Sequence, residues 1–460
     1  MLTADYLIVG AGALGMTFAD QLLTESDASM VIVDRHHMPG GHWNDAYPFV
    51  RLHQPSAFYG AGSRQLGSNR IDEFGFNRGY FELASGTEVL SYFDRLMRER
   101  FLPSGRVQYL PMSEYDGSGG RIRSLLSGDS TTVEVRAKTV DASYFQTSVP
   151  STHERKYLVE SGVRIIAPNA LPVIAPLYRQ FTIVGGGKTA MDVGVWLLQS
   201  GALPQSIRWI VPRDSWLINR ETTQPGDAFH LRFMGGRAIQ MEAAAEASTV
   251  EDLFLRLERG GQMLRIDQSV MPTMYHSATM SVCEVEALRS IRDVVRLGRV
   301  QQIAPNAITL ESGEIEASPE TLYIDCTASA LGKRPTRPVF ESDRITIQTV
   351  RAALFCLSAA SIAHLEATFD DDAQKNRHCP PVPLPDISAD WPSMMLAELA
   401  VQKVWGSDPA LRQWLSAHRL SGSNLRTAQR DQPDPEGKAI RQRLAEATPR
   451  AIANLERLVG

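Results

Sequence analysis

Tyr6-Leu7-Ile8-Val9-Gly10-Ala11-Gly12-Ala13-Leu14-Gly15 decides the fold of this 460-residue chain. A short apolar run reads as a buried strand, the glycines stand at G-x-G-x-x-G spacing, and Met16 to Leu23 has helical apolar periodicity. Each glycine answers a physical need. Gly10 makes the tight turn, Gly12 lets the backbone approach a pyrophosphate, and Gly15 lets helix and strand pack closely. Ala13 falls at the helix start, where unpaired N–H groups meet an anion. A second strand, Met30-Val31-Ile32-Val33, ends in Asp34-Arg35. Asp34, 19 residues after Gly15, is placed to accept hydrogen bonds from an adenosine ribose. A plain glycine turn is the bland alternative, but strand, cradle, helix, strand and terminal acid in this order favour a dinucleotide seat.

A second cradle follows. Phe181-Thr182-Ile183-Val184 is the strand, Gly185 and Gly187 keep the first glycine places, and Ala190 takes the third. Lys188 and Thr189 open the helix, where charge and hydroxyl can reach phosphate oxygens. The next strand, Ile207 to Val211, is followed by Pro212-Arg213 rather than by an acid. A guanidinium suits a 2′-phosphate, so the second nucleotide reads as NADPH in preference to NADH; a solvated surface arginine is the alternative.

The rest of the chain is consistent with a globular enzyme. With 43% hydrophobic and 22% charged residues, 460 residues exceed one ordinary core and suggest two or three domains. A net charge of −5 without a long basic run argues against nucleic-acid binding. Cys283, Cys326, Cys356 and Cys379 are too widely spaced for a metal site or a C-x-x-C redox pair. With a nucleotide motif starting at Gly10 and no long apolar run, neither a signal peptide nor a membrane span is expected, and a cytoplasmic location follows.

Further elements are a helix from Gly86 to Arg100, a strand pair near Val107–Leu110 and Thr131–Val140, and a loop-like linker from Pro168 to Pro176. The Ala/Glu/Leu-rich stretch from Glu242 to Arg265 reads as helices added to the second domain, with a solvated acidic face. Val294–Val300, Ala307–Leu310 and Thr321–Ile324 read as strands. Ser358 to His364 has small residues at an apparent helix start, which either faces a ligand or allows close packing. Asp370-Asp371-Asp372 beside Lys375 and Arg377 reads as a solvated charge cluster, and a polar tail from Gly422 to Gly437 precedes a helix over Lys438–Leu458.

The ordered set of motifs resembles the class B flavin-dependent monooxygenases, the group with the dimethylaniline-type, plant auxin-forming and Baeyer–Villiger enzymes. Gly40-Gly41-His42-Trp43 and Tyr47-Pro48 stand where that family has Gly-Gly-x-Trp and Tyr-Pro. Val50-Arg51-Leu52-His53-Gln54-Pro55-Ser56 is similar to its Leu-x-Leu-His-x-Pro-Lys segment beside the flavin, and Arg213-Asp214-Ser215-Trp216 to its Gln-Arg-x-Pro-x-Trp stretch. Asp325-Cys326-Thr327-Ala328 stands at the strand that returns to the flavin domain. The family's identifying motif survives only as His153 and Tyr157, without its Phe and Gly, so the chain reads as a divergent member.

The resemblance implies an α/β fold of two Rossmann-like domains, with the NADPH domain inserted into the FAD domain and a helical C-terminal extension. The expected boundaries are 1–157 for the first part of the FAD domain, 158–324 for the NADPH domain with its helical insertion, 325–420 for the second FAD part, and 421–460 for a polar linker and final helix. FAD would lie on the first cradle and NADPH on the second. Hydride would pass to the flavin, and O2 would be activated through a C4a-peroxyflavin that oxygenates a small organic substrate. His53 and Gln54 are the candidates to donate to the peroxide or orient the substrate; a His53 satisfied by a backbone carbonyl is the alternative. Trp43 either stacks near the flavin or plugs the loop by packing. By the resemblance His153 would bridge the two domains; a plain linker histidine without a function of its own is the favoured alternative. A flavin reductase or oxidase that does not oxygenate, and a nucleotide-binding sensor or scaffold without turnover, are the other readings of the same cradles. Substrate and oligomeric state are left open by the sequence.

Overall fold

The structure is a computed structural model that describes residues 1–329, 332, 334–422 and 434–460. The first cradle joins β1 (Leu2–Val9) to α1 (Ala13–Glu25), and β2 (Met30–Val33) follows in parallel register, Tyr6 opposite Met30. All of β2 is buried, as a strand covered on both faces must be. α2 (Gly86–Leu96) starts with a reciprocal Ser85–Glu88 capping box and buries Val89, Tyr92, Phe93 and Leu96 at helical spacing. β3 (Val107–Leu110) pairs with β2. β4 (Ser113–Tyr115), β5 (Arg121–Ser124) and β6 (Ser130–Asp141) form an antiparallel meander. The long β6 leaves the meander to run parallel to β1, so the two segments expected as a strand pair, β3 and β6, sit on opposite sides of the β2–β1 pair.

The chain then enters a second parallel sheet. After β7 (Leu158–Val159), β8 (Ile165–Ile166) and α3 (Leu171–Ile174), the second cradle joins β9 (Gln180–Val184) to α4 (Lys188–Gln199), and β10 (Ile207–Ile210) pairs with β9. Beyond β11 (Leu217–Asn219) come α5 (Asp227–Glu246), α6 (Val250–Arg259), β12 (Met263–Leu264), β13 (Thr279–Met280), α7 (Val282–Arg289) and β14 (Asp293–Val295). β15 (Val300–Ile303), β16 (Ala307–Leu310) and β17 (Gly313–Glu316) form a meander before β18 (Thr321–Asp325) returns to the sheet, whose order is β14-β10-β9-β18-β8. The run expected as one strand over 294–300 is two strands in different sheets, broken where Gly298 takes φ +82°.

β19 (Arg344–Thr346) rejoins the first sheet beside β6, and α8 (Phe355–Thr368) packs along α1. α8 begins before the small-residue run. Ser358 lies inside its first turn and accepts from the Val350 and Arg351 N–H groups, bracing the loop that enters the helix. α9 (Asp372–His378), α10 (Trp391–Ser407), α11 (Pro409–Ala417) and α12 (Pro435–Val459) complete the chain. The expected tail lies, over 423–433, outside the described residues.

Two further expectations are corrected by packing. The inserted helices α5 and α6 share a core with the first sheet and the C-terminal helices, while the second sheet keeps a core of its own. Alanines and glycines on α5 and α12 let the two helices lie close, and Arg443 pairs bidentately with Glu242 across them. The charge cluster near 370 is not simply solvated. Lys375 is 4% exposed and donates to Glu366 at 2.6 Å, and Asp372 holds the buried Lys138. Burial without these partners would be costly, so α9 is fastened to β6.

Candidate functional site

The first cradle is a backbone-on-backbone construction. Gly10, at φ +107°, donates to Val33 O, and the Gly40 N–H donates to Ala11 O at 2.8 Å. Gly41 has φ +56°, and a Cβ there would lie 2.9 Å from the Gly12 Cα. A Cβ on Gly15 would lie 2.0 Å from Gly10 O, so the third glycine is what lets α1 sit on the strand. α1 begins at N-cap Gly12 with no side-chain cap, whereas α2, α6, α7 and α11 are capped by Ser85, Thr249, Ser281 and Asp408. Among the described residues no side chain thus caps the first-turn N–H groups at Ala13 and its neighbours, an arrangement that suits an anion.

Asp34 is turned inward. Its carboxylate accepts from the Ala11 N–H at 2.6 Å and from the His36 N–H at 2.8 Å, and it meets His36 Nδ1 at 2.7 Å; it is 7% exposed. Asp34 therefore braces the cradle loop, and Arg35 beside it is exposed. His36 Nε2 reaches Asp45 at 2.8 Å, tying the end of β2 to the segment that carries Gly41. The hydrogen bond to Asp34 raises the His36 pKa above its ordinary value, and Asp45 adds to this against the opposing effect of burial.

The second cradle has different walls. Gly185 takes φ +132°, and Cβ atoms on Gly185 and Gly186 would lie 2.6 Å from Cys326 O and Arg213 O. Gly187 faces open space and is the N-cap of α4, again without a side-chain cap. Arg213 lies over this cradle, one third exposed, with one guanidinium nitrogen 3.4 Å from Asp386. Lys188 departs from expectation: its ammonium is bound by Asp192 one turn along α4 rather than standing over the helix start.

One strap of chain touches both cradles. Gly41 lies against Gly12; Tyr47 donates to Asp192 at 2.6 Å, faces Thr189, and packs on Phe49, which stacks on Trp196 of α4. His53 follows, with Lys188, Arg220 and Glu284 as its charged neighbours. Burial first, and then the Lys188 and Arg220 cations, hold its pKa well below the ordinary value, so the ring is neutral at pH 7. Its backbone carbonyl accepts from the buried Arg220, which is paired with Glu284 at 2.7 Å. Arg220 thus fixes the strap under His53, and a neutral imidazole keeps one N–H to donate. Gln54 is next on the strap and partly buried. Trp43 donates to the Tyr59 hydroxyl at 2.7 Å and meets its ring edge-on, which uses the indole N–H for packing.

Four features were not read from the sequence: the Tyr47–Asp192 joint, the Arg220–Glu284 support, the His36 clasp and Asp386. Beside these, the Lys188–Asp192 pair has a local signal in its i,i+4 spacing. The His153 Nε2 meets Asp325 at the end of β18 at 3.0 Å, with 9% and 5% of the two side chains exposed, which fits the bridging reading of this histidine. The outgoing and returning connections are fastened to each other there.

A family model described as an NAD(P)-binding Rossmann-like domain matches residues 8–60. The chain is 49% identical over 420 residues to the uncharacterized protein Rv2000 of Mycobacterium tuberculosis (strain ATCC 25618 / H37Rv), covering 91% of this chain and 78% of that one. It has the same identity and coverage with Mb2023 of Mycobacterium bovis. Among solved structures, an open cyclohexanone monooxygenase superposes with a TM-score of 0.51 at 12% identity, over 80% of this chain and 87% of that one. A cyclohexanone-bound form in the rotated conformation gives 0.50 at 11% identity, over 97% and 98%.

Proposed function

This chain belongs to the family of the mycobacterial protein Rv2000 and has the fold of the class B flavin monooxygenases, and from that premise we propose that it is an FAD- and NADPH-dependent oxidoreductase that oxygenates a small organic substrate with O2. The observation that carries the reading is the two glycine cradles, each opening a helix (α1, α4) whose N-cap is a glycine, joined by one strap that runs from Gly41 against Gly12, past Tyr47 bound to Asp192, to His53.

The residues fit both cofactors. Gly10, Gly12, Ala13, Gly15 and Gly41 form a cradle that a Cβ would fill, and its uncapped N–H groups suit the FAD pyrophosphate. Asp34 and Arg35 border the adenosine end. Gly185, Gly187 and the start of α4 suit a second pyrophosphate, with Arg213 for the 2′-phosphate. When bound there, FAD and NADPH would supply hydride transfer and the activation of O2 for transfer of one oxygen atom. His53 supplies a donor from a ring that stays neutral, Gln54 a second polar group, and Tyr47 with Asp192 holds the strap so that these donors stay placed.

The test is made on the purified full chain. It should be yellow, bleach on anaerobic addition of NADPH, and place one atom of labelled O2 in an accepted amine, thioether or ketone. Release of hydrogen peroxide with every substrate class and no labelled product would leave a reductase or oxidase instead. A colourless protein that takes up no FAD would end the reading altogether.

A further inference from the structure

Arg213 is not alone at the mouth of the second cradle. Asp386 stands beside it, 173 residues further along the chain. A short ladder brings it there: Ser215 bridges Met274 in parallel, and Met274 bridges Ile387 in antiparallel pairing. The Trp216 N–H donates to Met274 O at 2.9 Å, the Met274 N–H to Asp214 O at 3.1 Å, and the Tyr275 N–H to Asp386 O at 3.0 Å. Asp390 fixes the loop from below by accepting from the Asp386 and Ile387 N–H groups. Asp386 Oδ1 then lies 3.4 Å from an Arg213 guanidinium nitrogen and 2.7 Å from His276 Nε2. The pair is only partly exposed, 34% for the arginine side chain and 21% for the aspartate, so neither charge is fully screened.

The chemistry of the two groups is opposed. A carboxylate at the far end of such a cradle accepts from a ribose 2′-hydroxyl, and a guanidinium takes a 2′-phosphate. Ordinarily an acid with the first task ends the second strand of the unit, but here β10 is followed by Val211-Pro212-Arg213. We propose that Asp386 is the specificity-determining residue of this seat: it supplies from another segment the acid that β10 lacks, repels the 2′-phosphate that Arg213 attracts, and so lets the chain take NADH as well as NADPH. This rests on the reading of Arg213 as the outer end of the second nucleotide seat. The 3.4 Å separation leaves Arg213 loosely held, so a phosphate can compete for it at the cost of facing the carboxylate.

The experiment is calorimetric titration of the full chain with NADP⁺ and with NAD⁺, for wild type, Asp386→Asn, Asp386→Ala and Arg213→Ala. Wild type should bind both, with affinities within about tenfold of each other, a tenfold ratio being about 1.4 kcal/mol. Both Asp386 variants should move the ratio about tenfold toward NADP⁺, and Arg213→Ala should move it the other way. A purely structural role for Asp386 would lower both affinities together and leave the ratio in place, which would overturn the proposal even though NADP⁺ binds. Failure of wild type to bind either nucleotide would instead remove the second seat itself, and the proposal with it.

Discussion

Tyr47 donates its hydroxyl hydrogen to Asp192 at 2.6 Å, and this bond joins the strap that leaves the first cradle to the helix that opens the second. Burial first, and then the Asp192 charge, raise the Tyr47 pKa, so the phenol stays protonated and the donor is permanent at any working pH. Asp192 also binds Lys188, so one carboxylate orients both the strap and the first turn of α4. Tyr47→Phe should therefore cost about 1 kcal/mol of stability, the usual value of a lost hydrogen bond. It should also slow reduction of bound flavin by NADPH, because the strap is no longer referenced to α4. Thermal unfolding and anaerobic rapid mixing read the two effects; an unchanged reduction rate would show that the joint is structural only.

Gly41→Ala is expected to strip the chain of flavin. Its Cβ would lie 2.9 Å from the Gly12 Cα, and the backbone sits at φ +56°, so the loop must open where a pyrophosphate approaches. Gly12→Val should do the same by filling the approach from the other side. The check is the ratio of flavin to protein absorbance after purification, with circular dichroism to show that the sheets persist. A folded variant that purifies fully yellow counts against the first cradle.

His53→Leu keeps the volume and removes the donor. NADPH consumption should continue within about threefold, while oxygenated product per NADPH falls on the order of tenfold to a hundredfold and peroxide rises, as for loss of a donor that stabilises developing charge. Product and peroxide assays on the same samples decide it. Unchanged product yield would remove His53 from the chemistry.

Two histidines shape the dependence of stability on pH in opposite senses. His36, raised by Asp34 and Asp45, stabilises the fold fully below its unfolded pKa of about 6.5, and that contribution is lost as pH rises through the folded value. His418 is lowered to about 4 by burial, with Arg419 adding to it, and its contribution is present above the unfolded pKa and lost as pH falls toward about 4. Melting temperature should thus decline on both sides of neutrality. His36→Gln should flatten the alkaline side and His418→Gln the acid side, as read by melting curves from pH 4 to 9; a wild-type alkaline slope retained by His36→Gln would separate that slope from the clasp.

The strands and helices around both cradles were legible because their causes are local. An apolar run, a glycine turn and a periodic helix need only a few neighbouring residues, and Gly185 to Ala190 reads as plainly as Gly10 to Gly15. Where expectation failed, the deciding contact came from far along the chain. The helical insertion packs into the first sheet's core and not the second's because its partner, α12, begins about 190 residues after α5 ends. The order of residues likewise does not show that the Asp34 carboxylate also accepts from the Ala11 N–H, 23 residues before it.

By itself, then, the amino-acid sequence determined that there are two glycine cradles, each between an apolar strand and a helix, with an arginine rather than an acid after the second. Backbone sterics and hydrogen-bond geometry allow few other uses of that spacing. Tertiary structure alone decided which charges are committed and which remain available. Asp192 is committed to Tyr47, Asp34 to the cradle loop, and Arg213 is opposed by Asp386, because a charged side chain takes its partner from whatever surface folding brings within a few ångströms.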